Sequence, residues 1–194
     1  MRIDAYIFFS NEDNCLHMFT YRKNIDEEKK KELLAYTDEM TRFLTKAATR
    51  RRVTALLTEE TEKTYAFFIF DIDNFKQAND CFGHAFGDYC IREFARILRE
   101  HFREGDVLGR IGGDEFVAFI PIPSRDWVRK KAEELSHALD TECIRDGKAW
   151  KMSASIGISV ASEEDRDFDT LYEKADQALY RTKKKGKNGF TVYP

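Results

Sequence analysis

No stretch of this sequence is apolar for long enough to cross a membrane. The longest run, residues 65–70, ends at once on Asp71, well short of the ~20 residues a spanning helix needs. The N-terminus, Met1-Arg2-Ile3-Asp4, lacks the charged-then-apolar layout of a signal peptide. A basic excess is missing too: 32 Lys and Arg against 35 Asp and Glu leave a net charge of −3, which argues against a dedicated nucleic-acid binder. The four cysteines (Cys15, Cys81, Cys90 and Cys143) form no CxxC pair and read as reduced thiols in the core or on the surface. There is no internal repeat and no low-complexity linker. What remains is a chain of 194 residues, 42% hydrophobic and 13% aromatic. That suits one domain, or one domain plus a fragment of another, with core enough to fold. A soluble, cytoplasmic, globular protein is expected. One detail stands out: the charge is nearly even, yet residues 183–187 are strongly basic.

Two short apolar runs, residues 5–9 and 16–21, flank a polar stretch and predict a hairpin. Asp26 is placed to cap a helix, along which Leu33, Tyr36, Met40, Phe43 and Ala47 are spaced 3, 4, 3, 4. That is a coiled-coil seam over about two heptads, and equally the apolar stripe of a helix packed on its own domain. Residues 65–72 read as a central buried strand. Gly87-Asp88 opens a helix with Ile91, Phe94, Ala95, Leu98 and Phe102 on one face, ended by Gly105. Residues 107–111 and 116–120 are short strands around a hairpin tip. Residues 125–141 are helical, and residues 151–161 alternate as a half-buried antiparallel strand. Asp169 caps a last helix, and residues 190–193 form a closing strand. The expected fold is α/β (α+β), a mixed central sheet flanked by helices.

The strand at 65–71, the Gly87 helix and the strand at 107–111 form a β-α-β unit, so the two strands run parallel. Lying side by side, they place Asp71 beside Gly112-Gly113-Asp114-Glu115 at the sheet edge where ligands bind in such folds. Asp71, Asp114 and Glu115, with Asp73 close behind, need a compensating cation to stay ionised together. Oxygen ligands without histidine or thiolate select Mg²⁺ or Mn²⁺ over zinc, and magnesium completes its shell with substrate phosphates. Gly112 and Gly113 leave room for a bulky phosphorylated ligand to approach the backbone. A polar hairpin tip with solvated acids is the alternative.

At this point Gly112-Gly113-Asp114-Glu115-Phe116 resembles the signature of the GGDEF family, the bacterial diguanylate cyclases. Further blocks resemble the family in order and spacing: Phe70-Asp71-Ile72-Asp73-Asn74-Phe75-Lys76; Asn79-Asp80 with Gly83-His84 and Gly87-Asp88; Ser155-Ile156-Gly157; and Ala175-Asp176-Gln177-Ala178-Leu179-Tyr180, through Lys183 to Gly186-Lys187-Asn188. The match covers roughly residues 37 to 194. The resemblance implies a fold similar to the palm of nucleotide cyclases and polymerases, with a ferredoxin-like core. It implies condensation of two GTP into cyclic di-GMP with release of pyrophosphate, across a homodimer in which each domain holds one GTP. Asp71, the Ile72 carbonyl and Asp114 would bind the metals, with Glu115 a further ligand or acid-base group. Asp71, Asp114 and Glu115 would be the catalytic set. Backbone N–H groups around Asn74 and Phe75, with Lys76, Lys183 and Lys187, would hold phosphates. Asn79 and Asp88 would read the guanine edge. An Asp accepts from guanine N1–H and N2–H, which adenine does not supply, and a subgroup making mixed dinucleotides has Ser where this chain keeps Asp88.

Other readings of these residues stay open. Asn79 and Asp88 also suit capping of the helix at Gly87, and the C-terminal lysines suit the helix macrodipole. His84 has no metal-ligand partner at usable spacing and suits a structural hydrogen bond. Arg103 and Asp106, a fixed step before Gly112, resemble the family's RxxD site, where product binds as a feedback inhibitor. The chain departs from the family's D-x-L-T-G-L-x-N-R lead-in: here Asp38-Glu39-Met40-Thr41-Arg42-Phe43-Leu44-Thr45-Lys46 puts Arg42 for Gly, Thr45 for Asn and Lys46 for Arg. An Asp38–Lys46 pair would lack an arginine's bidentate grip. Residues 1–36 resemble the tail of a PAS-type sensor with a signalling helix, implying an upstream sensor domain; an integral extra hairpin is the alternative. The expectation is a diguanylate cyclase domain over 37–194 with no nucleic-acid partner. The rival reading is a weak or inactive GGDEF module that acts as a GTP or cyclic di-GMP receptor.

Overall fold

The computed structural model describes the backbone of residues 2–10 and 15–23, and residues 36–162 and 165–194 in full. The chain divides into two compact units, 1–36 and 37–194. In the first, β1 (Arg2–Ser10) and β2 (Cys15–Lys23) pair antiparallel, Arg2 opposite Lys23 and Ser10 opposite Cys15, which is the hairpin expected from the two apolar runs. The Asp26 cap and Leu33 lie outside the described residues.

The second unit is built on a six-stranded mixed sheet. Its elements are β3 (Leu44–Thr45), α1 (Lys46–Glu59), β4 (Tyr65–Ile72), α2 (Phe75–Phe82), α3 (His84–His101), β5 (Val107–Arg110), β6 (Glu115–Pro121), α4 (Arg125–Leu139), a separate hairpin of β7 (Thr141–Arg145) and β8 (Lys148–Met152), then β9 (Ala154–Val160), α5 (Phe168–Lys184) and β10 (Gly189–Val192). The sheet order is β10-β9-β4-β6-β5-β3. Within it β9-β4-β6-β5 is the split β-α-β arrangement of a ferredoxin-like core. β4 alternates strictly between two cores. Ala66, Phe68, Phe70 and Ile72 pack with α3 and α4, while Tyr65, Phe67 and Ile69 pack with α1 and α5. Helices on both faces explain why a strand of near-continuous aromatics is buried throughout.

Several expectations change. β4 and β5 are parallel but not neighbours, because β6 lies between them, antiparallel to both. The 3-4-3-4 seam is not one helix. Thr37 bridges Leu44, Met40 lies in a turn, and Phe43 is buried edge-on to Phe116 at 6.1 Å. Ala47 belongs instead to α1, a helix the sequence reading did not anticipate. The Gly87 helix opens earlier, with Gly83 at its N-cap, and ends at His101 rather than Gly105. β9 is buried on both sides, not half-buried: Ser159 Oγ donates to the Leu171 carbonyl at 2.7 Å, and a Cβ on Gly157 would lie 2.1 Å from the Ala175 carbonyl. Small residues there are the condition for α5 to lie flat on the strand. Asp167, accepting from Thr170 N at 2.9 Å, caps α5 in place of Asp169. Cys81, Cys90 and Cys143 are free thiols, the last two buried.

The lead-in turn also differs. Asp38 accepts from Thr41 N and Oγ at 2.8 and 2.7 Å and pairs with Arg110, not Lys46; Lys46 lies over the Tyr172 ring. Arg42, at the family's glycine, has φ +61°, the left-handed region that costs an L side chain about 1–2 kcal/mol. Arg42→Gly is therefore expected to raise unfolding free energy by about 0.5–1 kcal/mol, after the added entropy of glycine is deducted. Urea denaturation checks it, and a lower midpoint would mean that the arginine side chain stabilises the turn.

Candidate active site

β4 and β6 meet so that Asp71 and Glu115 are directly opposite, at the end of the sheet where Asp71 also faces Ser155 of β9. The tight connection from β5 to β6 is closed by Ile111 N and Gly112 N donating to the Glu115 carbonyl at 3.0 and 3.4 Å. Ile72 N donates to the Asp114 carbonyl at 3.3 Å, which seats the hairpin beside the end of β4. Asp71, Ile72, Asp114 and Glu115 are thus brought to one place through the strand that separates β4 from β5. A Cβ on Gly112 would lie 2.9 Å from Glu115 Oε2, so a side chain there would push the Glu115 carboxylate aside. Gly113 has open space around its Cβ position.

Burial, and next the charge of Asp71, hold the Asp114 carboxyl above its usual range. Burial, then Asp71 and Asp114, do the same to Glu115. Lys183 Nζ, from the last turn of α5, lies 2.7 Å from Asp71 Oδ2 and supplies positive charge there. Among the described residues no group of three His, Cys, Asp or Glu side chains is gathered closely enough to hold a metal ion by itself. The donor chemistry nonetheless fits a hard cation. It consists of carboxylate oxygens with a backbone carbonyl, the set that holds Mg²⁺ or Mn²⁺ through a few ligands and leaves the others to phosphate.

Asp73 has a different place. It is 2% exposed and accepts from Ser153 Oγ at 2.8 Å, Ser155 Oγ at 2.6 Å and Asn188 N at 2.9 Å. Its oxygens are used up tying β4 to β9 and to the turn after α5, so it is not a fourth site acid. In that turn Lys187 takes a φ of +67° and donates from Nζ to Asn74 Oδ1 at 2.6 Å. Asn74 itself is left-handed, φ +57°, at the start of α2. Lys183 therefore reaches Asp71 at the end of β4 and Lys187 reaches Asn74 at the start of α2, although both lysines are more than a hundred residues away in sequence. Lys76 is exposed.

On α2 and α3, Asn79, Phe75 and Gly87 form one contact: a Cβ on Gly87 would lie 2.0 Å from Asn79 Oδ1 and 3.2 Å from Phe75 Cζ. Gly83 occupies the N-cap of α3 without a side-chain hydrogen bond, so neither Asn79 nor Asp88 caps that helix. Asp88 follows Gly87 directly, partly exposed, and His84 is exposed. Arg103 and Asp106 lie elsewhere. Arg103 N donates to Asp106 Oδ2 at 2.9 Å and Asp106 N returns to the Arg103 carbonyl at 3.1 Å. This turn borders a cleft of about 600 Å³ that also takes in Arg52, Lys131, Trp127 and Tyr65. Tyr65 begins β4 and Asp71 nearly ends it, so the cleft and the acids occupy opposite ends of the sheet.

The sequence reading missed Arg110, whose guanidinium contacts Gly113 and Asp38, and the two groups on α5, Asp176 and Tyr172, that act electrostatically on or with Glu115. The Ala175-Asp176 block pointed to α5 but not to its facing Glu115.

Residues 35–189 match the profile of the family described as diguanylate cyclase, GGDEF domain. Diguanylate cyclase A of Treponema denticola is 34% identical over 134 residues, 69% of this chain and 36% of its own length. Diguanylate cyclase DgcP of Pseudomonas aeruginosa is 31% identical over 179 residues, 89% of this chain and 26% of its own. The chain thus spans about a third or less of these curated relatives. Among solved structures, the coiled coil and GGDEF domain of DgcB from Caulobacter crescentus in complex with c-di-GMP superposes with a TM-score of 0.80 at 25% identity, covering 87% of this chain and 91% of that one. A sensory box/GGDEF family protein from Caulobacter crescentus gives 0.74 at 31% identity, covering 78% and 100%.

Proposed function

Because the chain belongs to the GGDEF diguanylate cyclase family, we propose that it condenses two GTP into cyclic di-GMP, releasing two pyrophosphates, as a homodimer with one GTP on each domain. The observation that carries this reading is the placement of Asp71, Asp114 and Glu115 at one sheet end, with Lys183 paired to Asp71 and Lys187 to Asn74 beside it. In each half-reaction the ribose 3′-oxygen of one GTP bonds to the α-phosphorus of the other and the bond to the β-phosphate bridging oxygen breaks. Bound Mg²⁺ or Mn²⁺, held by Asp71, Asp114 and the Ile72 carbonyl, with Glu115 a further ligand where it is not the acid-base group, would lower the pKa of the 3′-hydroxyl and neutralise charge on the α-phosphate.

The chain's own groups do the positioning. Asn74 and Phe75 backbone N–H groups with Lys76, Lys183 and Lys187 hold the outer phosphates, and Lys183 exchanges its Asp71 partner for phosphate. Asn79 and Asp88 take the guanine edge, and Gly87 gives Asn79 the room to do so. Glu115, with its raised proton affinity, is suited to accept the 3′-hydroxyl proton. We place the protein in the cytoplasm, under control of an upstream sensor domain.

Incubation with GTP and Mg²⁺, read by mass for cyclic di-GMP, tests the proposal. GTP binding without product at any protein concentration would replace it by the receptor reading. Product feedback is assigned to the cleft at Arg103 and Asp106. A guanidinium grips phosphate bidentately and stacks on a purine, and losing one charge-assisted bond weakens binding by about 10–100-fold. Arg103→Ala is expected to raise the cyclic di-GMP concentration for half-inhibition by that factor, and unchanged inhibition removes the site.

A further inference from the structure

Arg110 is the last residue of β5, immediately before the hairpin, and its side chain is only 12% exposed. All three of its guanidinium nitrogens are engaged. Nε and Nη2 donate to the Gly113 carbonyl at 3.2 and 2.7 Å, and Nη1 lies 3.1 Å from both oxygens of Asp38, with Met40 Sδ at 3.7 Å. Asp38 is fixed in turn. Its carboxylate accepts from Thr41 N and Oγ, and its N–H donates to the Phe43 carbonyl at 2.7 Å. Burial raises the Asp38 carboxyl, but the bonds from Thr41 and Arg110 outweigh it and hold it below its usual range, so it is ionised opposite Arg110 at neutral pH. The same turn is held from its other side, where Arg99 of α3 donates to the Thr41 carbonyl at 2.6 Å and lies over the Phe43 ring.

The carbonyl that Arg110 grips is that of Gly113, the residue before Asp114. Gly113 is exposed and Gly112 and Asp114 are only partly buried, so packing alone does not fix the tip; the Ile72 N bond to the Asp114 carbonyl seats one side of it, and a planar fork held by a second anchor holds the other. We propose that Arg110 is a positioning residue, which uses Asp38 as its anchor to set the Asp114–Glu115 carboxylates against the reacting phosphate. This rests on the reading of the hairpin as part of the GTP site. Asp38 lies two residues into the second unit, so the clamp joins the chain's point of entry into this domain to the hairpin.

GTP is held, on this reading, by groups on other elements: Lys76, Asn79, Asp88, Lys183 and Lys187. Loosening the hairpin should therefore spoil alignment more than affinity. In the full chain, at a protein concentration where the rate per chain has levelled off, Arg110→Ala is expected to lower kcat by about 10–100-fold, the effect of a small misplacement. KM should stay within about twofold of wild type, as expected when only a transition-state interaction is lost. Arg110→Lys should not restore the rate, because an ammonium lacks the fork that spans Asp38 and Gly113. Asp38→Ala combined with Arg110→Ala should be no slower than Arg110→Ala alone, since both remove one interaction.

A kcat near wild type, full rescue by lysine, multiplying effects in the double variant, or a fall in kcat matched by an equal rise in KM would each overturn the proposal. If the wild-type chain makes no product, the proposed activity fails separately, and hydrogen exchange decides the role of Arg110. Faster exchange of the Ile111 and Gly112 amides in Arg110→Ala, with β9 amides unchanged, supports it, and unchanged exchange at the hairpin overturns it.

Discussion

Asp114→Asn is expected to abolish cyclic di-GMP formation and, in metal-free buffer at pH 7, to melt at a higher temperature than wild type. The loss follows from position. Asp114 sits in the hairpin beside Asp71, opposite the end of β4, and an amide has one poor oxygen donor where a carboxylate has two good ones. The charge stabilisation a bound metal gives is worth several kcal/mol, so turnover should drop by about three orders of magnitude. The gain in stability follows from the proton affinities. Burial and Asp71 raise Asp114, and burial, Asp71 and Asp114 raise Glu115. Just above the ordinary carboxylate range, the folded chain still holds protons that the unfolded chain has released. Unfolding free energy must therefore fall as pH rises through that window. Removing one charge removes its share of the fall and relieves Glu115 as well. Thermal melts of both proteins between pH 4 and 8, with a chelator present, should show the variant's advantage growing with pH. Equal melting temperatures at pH 7 would mean the acids do not repel, and retained turnover would remove Asp114 from the site.

That opposition between function and stability was half legible in the sequence. The acids at Asp71 and 114–115 could be placed at one sheet edge because two strands joined by a helix run parallel, and they do. The assumed adjacency was wrong. β6 returns between β4 and β5 since a short turn forces antiparallel pairing, and that puts Glu115, not a residue of β5, opposite Asp71. The alternation of residues 151–161 failed for a related reason. Serine and glycine mark solvent exposure only when nothing lies on them, and here they let α5 approach closely. The 3-4-3-4 spacing from Leu33 misled because helix period says nothing about where a chain turns. Thr37 bridges Leu44 and Asp38 N donates to the Phe43 carbonyl, so the chain doubles back there, and Arg42 takes a left-handed backbone that breaks the pattern. Arg110 was invisible, since its partners Asp38 and Gly113 meet only through the sheet.

Asp73 supplies the reverse case to Asp114, a neighbouring acid outside the site whose removal should destabilise the domain rather than stabilise it. It is more deeply buried than any other acid at this end of the sheet, yet it is compensated, with two serine hydroxyls and the Asn188 amide donating to it. Bonds to a charged acceptor contribute about 1.5–3 kcal/mol each, and donors left buried without one add their desolvation cost, so Asp73→Ala should lose about 3 kcal/mol or more. Ser155→Ala, which deletes one donor and leaves two, should lose about half of that or less. The functional consequence is specific. Asn188 follows Lys187, and the bond from Asn188 N to Asp73 fixes the turn from which Lys187 reaches Asn74. In whatever fraction of Asp73→Ala remains folded, KM for GTP should rise by about tenfold, the worth of one charged phosphate contact, while the metal-site carboxylates stay in place. Urea unfolding with parallel steady-state kinetics separates the two effects. A denaturation midpoint equal to wild type would show that β4, β9 and the α5–β10 turn are joined by packing alone, whereas a destabilised variant with normal KM would release Lys187 from any role in holding phosphate.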